Sequence, residues 1–217
     1  MTSMAVGDKR VLQQGDCKNA FCQSILPEDE CMAIRPPAGN PAYDKDKYLL
    51  LNKTVYGLRR SPHHWYNQFT SILRKLKLAP SPNDPCIYTG VINSDDPMST
   101  RAPIHVGVYV DDSIFYSTEP AEEELFKAGL ANEIKVDFVG DVDFFLDTAF
   151  TWIRQSNGHL SVHMTQTAFT KFSAHRFGVN AMNPVSNMTP YRSGMPIDSI
   201  PAPFSDDPDL KRRTKVY

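Results

Sequence analysis

At 217 residues, with 41% hydrophobic and 22% charged side chains, the chain is long enough to bury a full core and ordinary in globular composition. It has no apolar run long enough for a membrane-spanning helix, and Met1 to Gln14 lack the apolar core of a secretory signal, so an intracellular location, cytoplasmic or nuclear, is expected. A net charge of −2 argues against a generally sticky nucleic-acid binder.

In chain order, Val11-Leu12-Gln13-Gln14 suggests a short strand leading to Asp16. Ala20-Phe21 with Ile25-Leu26 then suggests a short helix closed by Pro27. Cys17, Cys22, Cys31 and Cys86 lack the paired spacing of a zinc site and read as free thiols. Tyr48-Leu49-Leu50-Leu51 is apolar without strict alternation and reads as a short strand, a pattern that allows burial on both faces. Ser61-Pro62 is a helix start, with serine as cap and proline in the first turn. Trp65, Phe69, Ile72, Leu73 and Leu76 then form one apolar stripe on a helix ending near Pro80 and docked on a sheet. His63-His64 point in different directions on that helix and read as solvated or packing residues. From Asp44 to Lys77, eight basic residues (Lys45, Lys47, Lys53, Arg59, Arg60, Arg74, Lys75, Lys77) face Asp44 and Asp46, a local +6 that permits a basic face for a phosphate backbone.

Cys86-Ile87-Tyr88 to Val91-Ile92 suggests a further strand, and Asn93 to Pro103 a polar loop. Two β-branched and aromatic runs, Ile104 to Val110 and Ser113 to Tyr116, then flank Asp111-Asp112, which reads as a hairpin with the acidic pair in a tight turn. Two adjacent carboxylates there repel one another. Either the pair is a common surface turn or a divalent cation offsets the repulsion, and hard oxygen ligands suit magnesium.

Pro120 opens a second helix through about Phe138, with Leu125, Ala128 and Ile134 on one side. Phe144 to Ile153 and His159 to Met164 read as strands joined at Asn157-Gly158. A third helix is expected from Thr165 to Phe177, stopped by Gly178, with a loosely ordered, proline-rich chain beyond Asn183. From Glu119 to Asp147, nine acidic residues stand against Lys127 and Lys135. The order of elements predicts an α+β fold built on antiparallel hairpins.

Two closely held divalent ions need a third carboxylate, and Asp16 is the best candidate, although a helix-capping aspartate is the plain alternative. Five segments recur in order: Asp16-Cys17-Lys18-Asn19-Ala20-Phe21, Cys31 to Gly39, Thr54-Val55-Tyr56-Gly57-Leu58-Arg59-Arg60-Ser61-Pro62 to Tyr66, Asn83 to Tyr88, and Tyr109-Val110-Asp111-Asp112. This series resembles the reverse transcriptase of copia-type retrotransposons, from Asp16 almost to the end of the chain.

The resemblance implies a right-hand polymerase palm, with the fingers largely missing from Met1 to Gly15. It implies domains at 1–15 (poorly defined), 16–190 (palm and a following connection or thumb-like region) and 191–217 (tail). Asp16, Asp111 and Asp112 would hold two Mg2+ ions, with Mn2+ as a substitute, for RNA-directed DNA synthesis. The implied partners are an RNA or DNA template with primer, deoxynucleoside triphosphates, and missing polyprotein domains (fingers, ribonuclease H, integrase). Phe21 would be a steric gate against a ribose 2′-hydroxyl, or else a core phenylalanine. Tyr56, Gly57, Arg59 and Arg60 would contact nucleotide or template, though surface arginines are commonly solvated. Tyr109 would lie beside the primer end, or else pack in the core. Arg60 stands where the family usually has glutamine, and Asp147 where it usually has glycine. Two alternatives remain: a truncated, catalytically inactive fragment, and a non-enzymatic nucleic-acid-binding module using the basic block.

Overall fold

In the computed structural model, residues 1–176 are described apart from 42, 43, 45, 97 and 98. The expected helix stop at Gly178 and the tail beyond Asn183 lie outside the described residues. After a short helix, α1 (Thr2–Gly7), come β1 (Gln13–Cys17), a 3-10 turn (Ala20–Gln23), and the two-residue strands β2 (Ala33–Ile34) and β3 (Leu49–Leu50). The long helix α2 (Ser61–Lys75) leads to β4 (Ala79–Pro80), β5 (Ile87–Gly90), β6 (Ile104–Tyr109) and β7 (Asp112–Ser117). Helix α3 (Pro120–Glu133), β8 (Val136–Asp141), β9 (Phe144–Phe145), β10 (Thr148–Arg154) and β11 (Leu160–Thr165) complete a compact unit through Thr167. A further helix, α4 (Thr167–Arg176), opens a second unit.

Six strands form one sheet in the order β4-β5-β6-β7-β1-β8, and every neighbouring pair is antiparallel. The first strand of the chain is thus placed between β7 and β8, next to the acidic hairpin. The apolar stripe of α2 packs with Phe126 and Leu130 of α3 against Tyr88, Ile104, Val106 and Phe115 of the sheet. A second cluster uses the alternate strand positions Ile114 and Tyr116, with Ala5 of α1 and Phe150 of β10. The α+β expectation therefore holds, and the α2 stripe is buried as its spacing dictates.

Several local expectations change. The helix expected over Ala20 to Leu26 ends at Gln23, because Ile25 bridges Lys53 in extended backbone. Leu49 and Leu50 lie in a two-residue strand and are exposed rather than buried on both faces. In α2, Ser61 is the first helical residue and not the cap; its hydroxyl donates to the Val55 carbonyl at 2.7 Å. The helix ends at Lys75, and Ala79–Pro80 joins the sheet instead.

Helix α3 stops at Glu133. Its buried residues are Glu122, Glu123, Phe126 and Leu130, whereas Leu125 and Ala128 are exposed. Two buried glutamates are tolerated because each is paired: Glu122 with Arg101 and the Ile92 amide, Glu123 with Arg10 and the Ser117 amide. Val136–Phe138 belongs to β8, where side chains alternate between half-buried and exposed. The single strand expected from Phe144 to Ile153 is a hairpin, turned at Leu146-Asp147, both with positive φ. The Asn157-Gly158 hairpin is real but longer than two residues. The Gln155 amide donates to the His159 carbonyl and the Gly158 amide to the Gln155 carbonyl, leaving Gly158 alone left-handed, as in a three-residue loop with a glycine bulge.

Candidate functional site

Residues directly opposite in an antiparallel pair carry their side chains to the same face of a sheet. Asp16 of β1 lies opposite Asp112 of β7 on one side and Asp137 of β8 on the other. Three carboxylates thus form a row across three adjacent strands. Gly15, next to Asp16, permits the close fit: a Cβ there would stand 3.0 Å from the Ser113 Oγ and 3.4 Å from the Phe138 ring.

The hairpin turn sits one residue earlier than expected. Val110 and Asp111 occupy it, and Asp112 already belongs to β7, opposite Tyr109. Val110 adopts φ +56°, costly for a β-branched residue, and two bonds hold it in place. The Trp65 indole Nε1–H donates to the Val110 carbonyl at 2.5 Å, and the Cys17 amide donates to the Asp111 carbonyl at 2.9 Å. Trp65 therefore fixes the turn from α2 as well as filling the core.

Negative charge accumulates here. Burial, then the charges of Asp111 and Asp16, raise the Asp112 carboxyl, with Gln14 acting the other way. The Cys17 thiol is pushed up to about 12 by burial and then by Asp16, Asp111 and Asp112, so it is inert at neutral pH. Among the described residues, no lysine or arginine forms an ion pair with these three aspartates; Lys18 pairs with Asp137 at 2.6 Å. An oxygen-only, uncompensated donor set suits a hard divalent cation. Also among the described residues, no three His, Cys, Asp or Glu side chains converge closely enough to hold one.

The other expected site residues divide into two sets. Phe21 and Tyr56 meet, with ring centroids 4.7 Å apart. Thr54 sets this contact: its hydroxyl donates to the Phe21 carbonyl and its amide to the Ser24 carbonyl. Partial desolvation, followed by the charges of Asp111, Cys22 and Asp16, raises the Tyr56 phenol, with the Ala20 backbone acting the other way. Tyr109 is exposed on the strand next to Asp112. Gly57 takes φ +94°, a conformation that favours glycine.

Arg59 is exposed, but Arg60 is held by Glu30 at 2.6 Å, and the same glutamate binds His64 at 3.0 Å. Four of the eight basic residues of the block are paired: Arg60 with Glu30, and Lys47, Lys75 and Lys77 with Asp44, Glu133 and Asp95. All four cysteines are free. The sequence reading missed Asp137, Glu30 and the turn contact of Trp65. Alternation in Val136-Asp137-Phe138 was the available signal for the first.

The model of the family described as reverse transcriptase (RNA-dependent DNA polymerase) matches residues 1–191. The chain belongs to this family. A retrovirus-related Pol polyprotein from transposon TNT 1-94 of Nicotiana tabacum is 24% identical over 184 residues, covering 85% of this chain and 13% of the polyprotein. The Pol polyprotein from transposon RE2 of Arabidopsis thaliana is 26% identical over 184 residues, covering 84% of this chain and 12% of that protein. A putative transposon Ty5-1 protein of Saccharomyces cerevisiae is 25% identical over 154 residues, with coverage of 69% and 45%. The copia-type resemblance thus holds, and this reverse transcriptase chain spans about an eighth of the two plant polyproteins. No solved structure matches it. Among the described residues, no helix is long and apolar enough to cross a membrane.

Proposed function

We propose that Asp16, Asp111 and Asp112 are the metal-holding carboxylates of a polymerase palm that extends a primer on an RNA or DNA template with deoxynucleoside triphosphates. The observation that carries this reading is the cross-strand pairing of Asp16 with Asp112, with Asp111 in the adjoining turn. Their donor chemistry fits two magnesium ions, with manganese as a substitute. Gathering their oxygens onto common ions takes side-chain rotation, which exposed Asp16 and half-exposed Asp111 and Asp112 allow. Bound there, such ions supply hydroxyl activation and charge neutralisation on the leaving diphosphate.

The rest is done by the chain's own side chains. Phe21, braced by Tyr56, forms an aromatic wall beside the carboxylates that excludes a ribose 2′-hydroxyl. Tyr109 lies where a primer end reaches Asp112, with Gly57 shaping the loop before α2. Arg59 is free for phosphate, while Arg60 contacts a nucleic acid only after leaving Glu30. An antiparallel sheet with α2 and α3 packed on one side is the support for a palm, with its following connection or thumb-like region, in 16–190. The fingers, ribonuclease H and integrase regions of a longer polyprotein are the proposed partners.

Magnesium-dependent primer extension on an RNA template, comparing the protein with its Asp111→Asn form, tests the site. A loss of about 100-fold or more is expected, as for other groups aimed at transition-state charge. Extension that survives the substitution overturns the assignment. No extension by either protein, together with salt-sensitive binding that needs no magnesium, favours the binding-module reading instead.

A further inference from the structure

Asp16 has a second cross-strand neighbour, which its proposed metal role does not use. Asp137 of β8 lies directly opposite it, and residues so paired have Cβ atoms about 5 Å apart. The Asp137 carboxylate is taken up by Lys18, whose Nζ stands 2.6 Å from Oδ2. Lys18 follows Asp16 by two positions, about 7 Å along an extended chain, and meeting Asp137 brings its ammonium to the face that carries the carboxylates. A long, flexible stem lets that ammonium reach either member of the Asp16–Asp137 pair. It takes Asp137.

The backbone around this ion pair is fixed. The Lys18 amide donates to the Lys135 carbonyl at 3.0 Å. The Gln23 side chain ties the same two strand ends together: its Nε2 donates to the Lys18 and Lys135 carbonyls at 2.7 and 2.9 Å, and its Oε1 accepts from the Lys135 amide at 2.7 Å. Rotation of the Lys18 side chain, not movement of the strand, therefore decides which carboxylate it meets.

We propose that Asp137 is a positioning residue for the polymerase site: by holding the Lys18 ammonium it keeps that cation off Asp16 and leaves Asp16 open to a divalent ion. The inference rests on the proposed metal role of Asp16, Asp111 and Asp112, and adds a residue outside that set. Its physical basis is competition. An ammonium seated on Asp16 must be displaced before a metal ion enters, whereas one paired with Asp137 need not be. Asp137→Asn frees the ammonium, and Asp16 is the carboxylate directly opposite the vacated position. Lys18 and Asp137 are both exposed, so the competing pair has the strength of a surface pair and changes affinity a few-fold, not by orders of magnitude.

Mn2+ binding to the full chain, followed by the electron paramagnetic resonance signal of the free ion, tests this in a double-mutant cycle. With Lys18 present, Asp137→Asn is expected to weaken Mn2+ binding about 3-fold, the scale of one surface ion pair. In the Lys18→Met background there is no ammonium to release, and the same substitution should cost clearly less. Asp137→Glu keeps a carboxylate for Lys18 and should bind Mn2+ as the wild type does. Equal losses in the two backgrounds overturn the positioning role, because Asp137 then acts by its own charge; no loss with Lys18 present overturns it as well. A wild-type chain that binds no Mn2+, or an Asp16→Asn form that binds it equally well, overturns the metal site itself and this inference with it.

Discussion

Asp112 ionises against two neighbours, Asp111 beside it in the chain and Asp16 across the strand, after burial has already removed part of its hydration. Its folded value lies above the ordinary 3.8, so between those values the folded state binds more protons than the unfolded chain. Stability from this group is therefore lost as pH rises through that window. Asp112→Asn is expected to raise the melting temperature at pH 7, with the gain shrinking as pH falls towards 3.8; thermal denaturation across pH checks it. An unchanged difference at every pH would mean that Asp112 carries no such strain. Phe21 makes a separate residue-scale prediction. If it excludes the 2′-hydroxyl, Phe21→Ala raises ribonucleotide incorporation relative to deoxynucleotides in any active form of the protein. Unchanged sugar selectivity would return Phe21 to a packing role against Tyr56.

At the scale of elements, turns show where side-chain type and backbone disagree. The β9–β10 hairpin turns through Leu146 and Asp147 at φ +48° and +57°. Both are L residues in left-handed conformation, where a Cβ is unfavourable. Asp147→Gly removes the Cβ from this conformation and is expected to stabilise the chain by about 0.5–1 kcal/mol, read from a urea midpoint shifted upward. The β6–β7 turn is handled differently. Val110 keeps its φ of +56° because the Trp65 indole and the Cys17 amide hold the two turn carbonyls. There the strained backbone belongs to the element that presents Asp111.

Across the whole compact unit, the layer of α2 and α3 is seated on the sheet by close approach. After α2 the chain turns at Lys77 and runs beside β5, where a Cβ on Gly90 would stand 2.5 Å from the Lys77 carbonyl oxygen and 3.3 Å from the Leu78 Cα. Those are backbone atoms and cannot swing aside. Gly90→Ala is expected to cost about 1–3 kcal/mol, measurable by chemical denaturation, as overpacking does in other cores. A neutral result would show that the exit of α2 is looser than these distances imply.

What the sequence determined by itself was local. The 3.6-residue spacing of Trp65, Phe69, Ile72, Leu73 and Leu76 specifies α2, and β-branched runs around Asp111-Asp112 specify a hairpin, because both signals lie within one turn or one strand. The ordered motifs carry the family for the same reason: they are written along the chain. Alternation at Val136-Asp137-Phe138 was present too, but it follows directly on α3 and merges with the helix pattern. Only the tertiary structure decided which carboxylates become neighbours. Asp16, Asp112 and Asp137 align through two strand registers, and one residue of slip would turn any of them to the opposite face. Part of the basic block is paired likewise, since Arg60 and Lys75 find Glu30 and Glu133 across the fold. Charge along a sequence adds, whereas charge in a fold pairs.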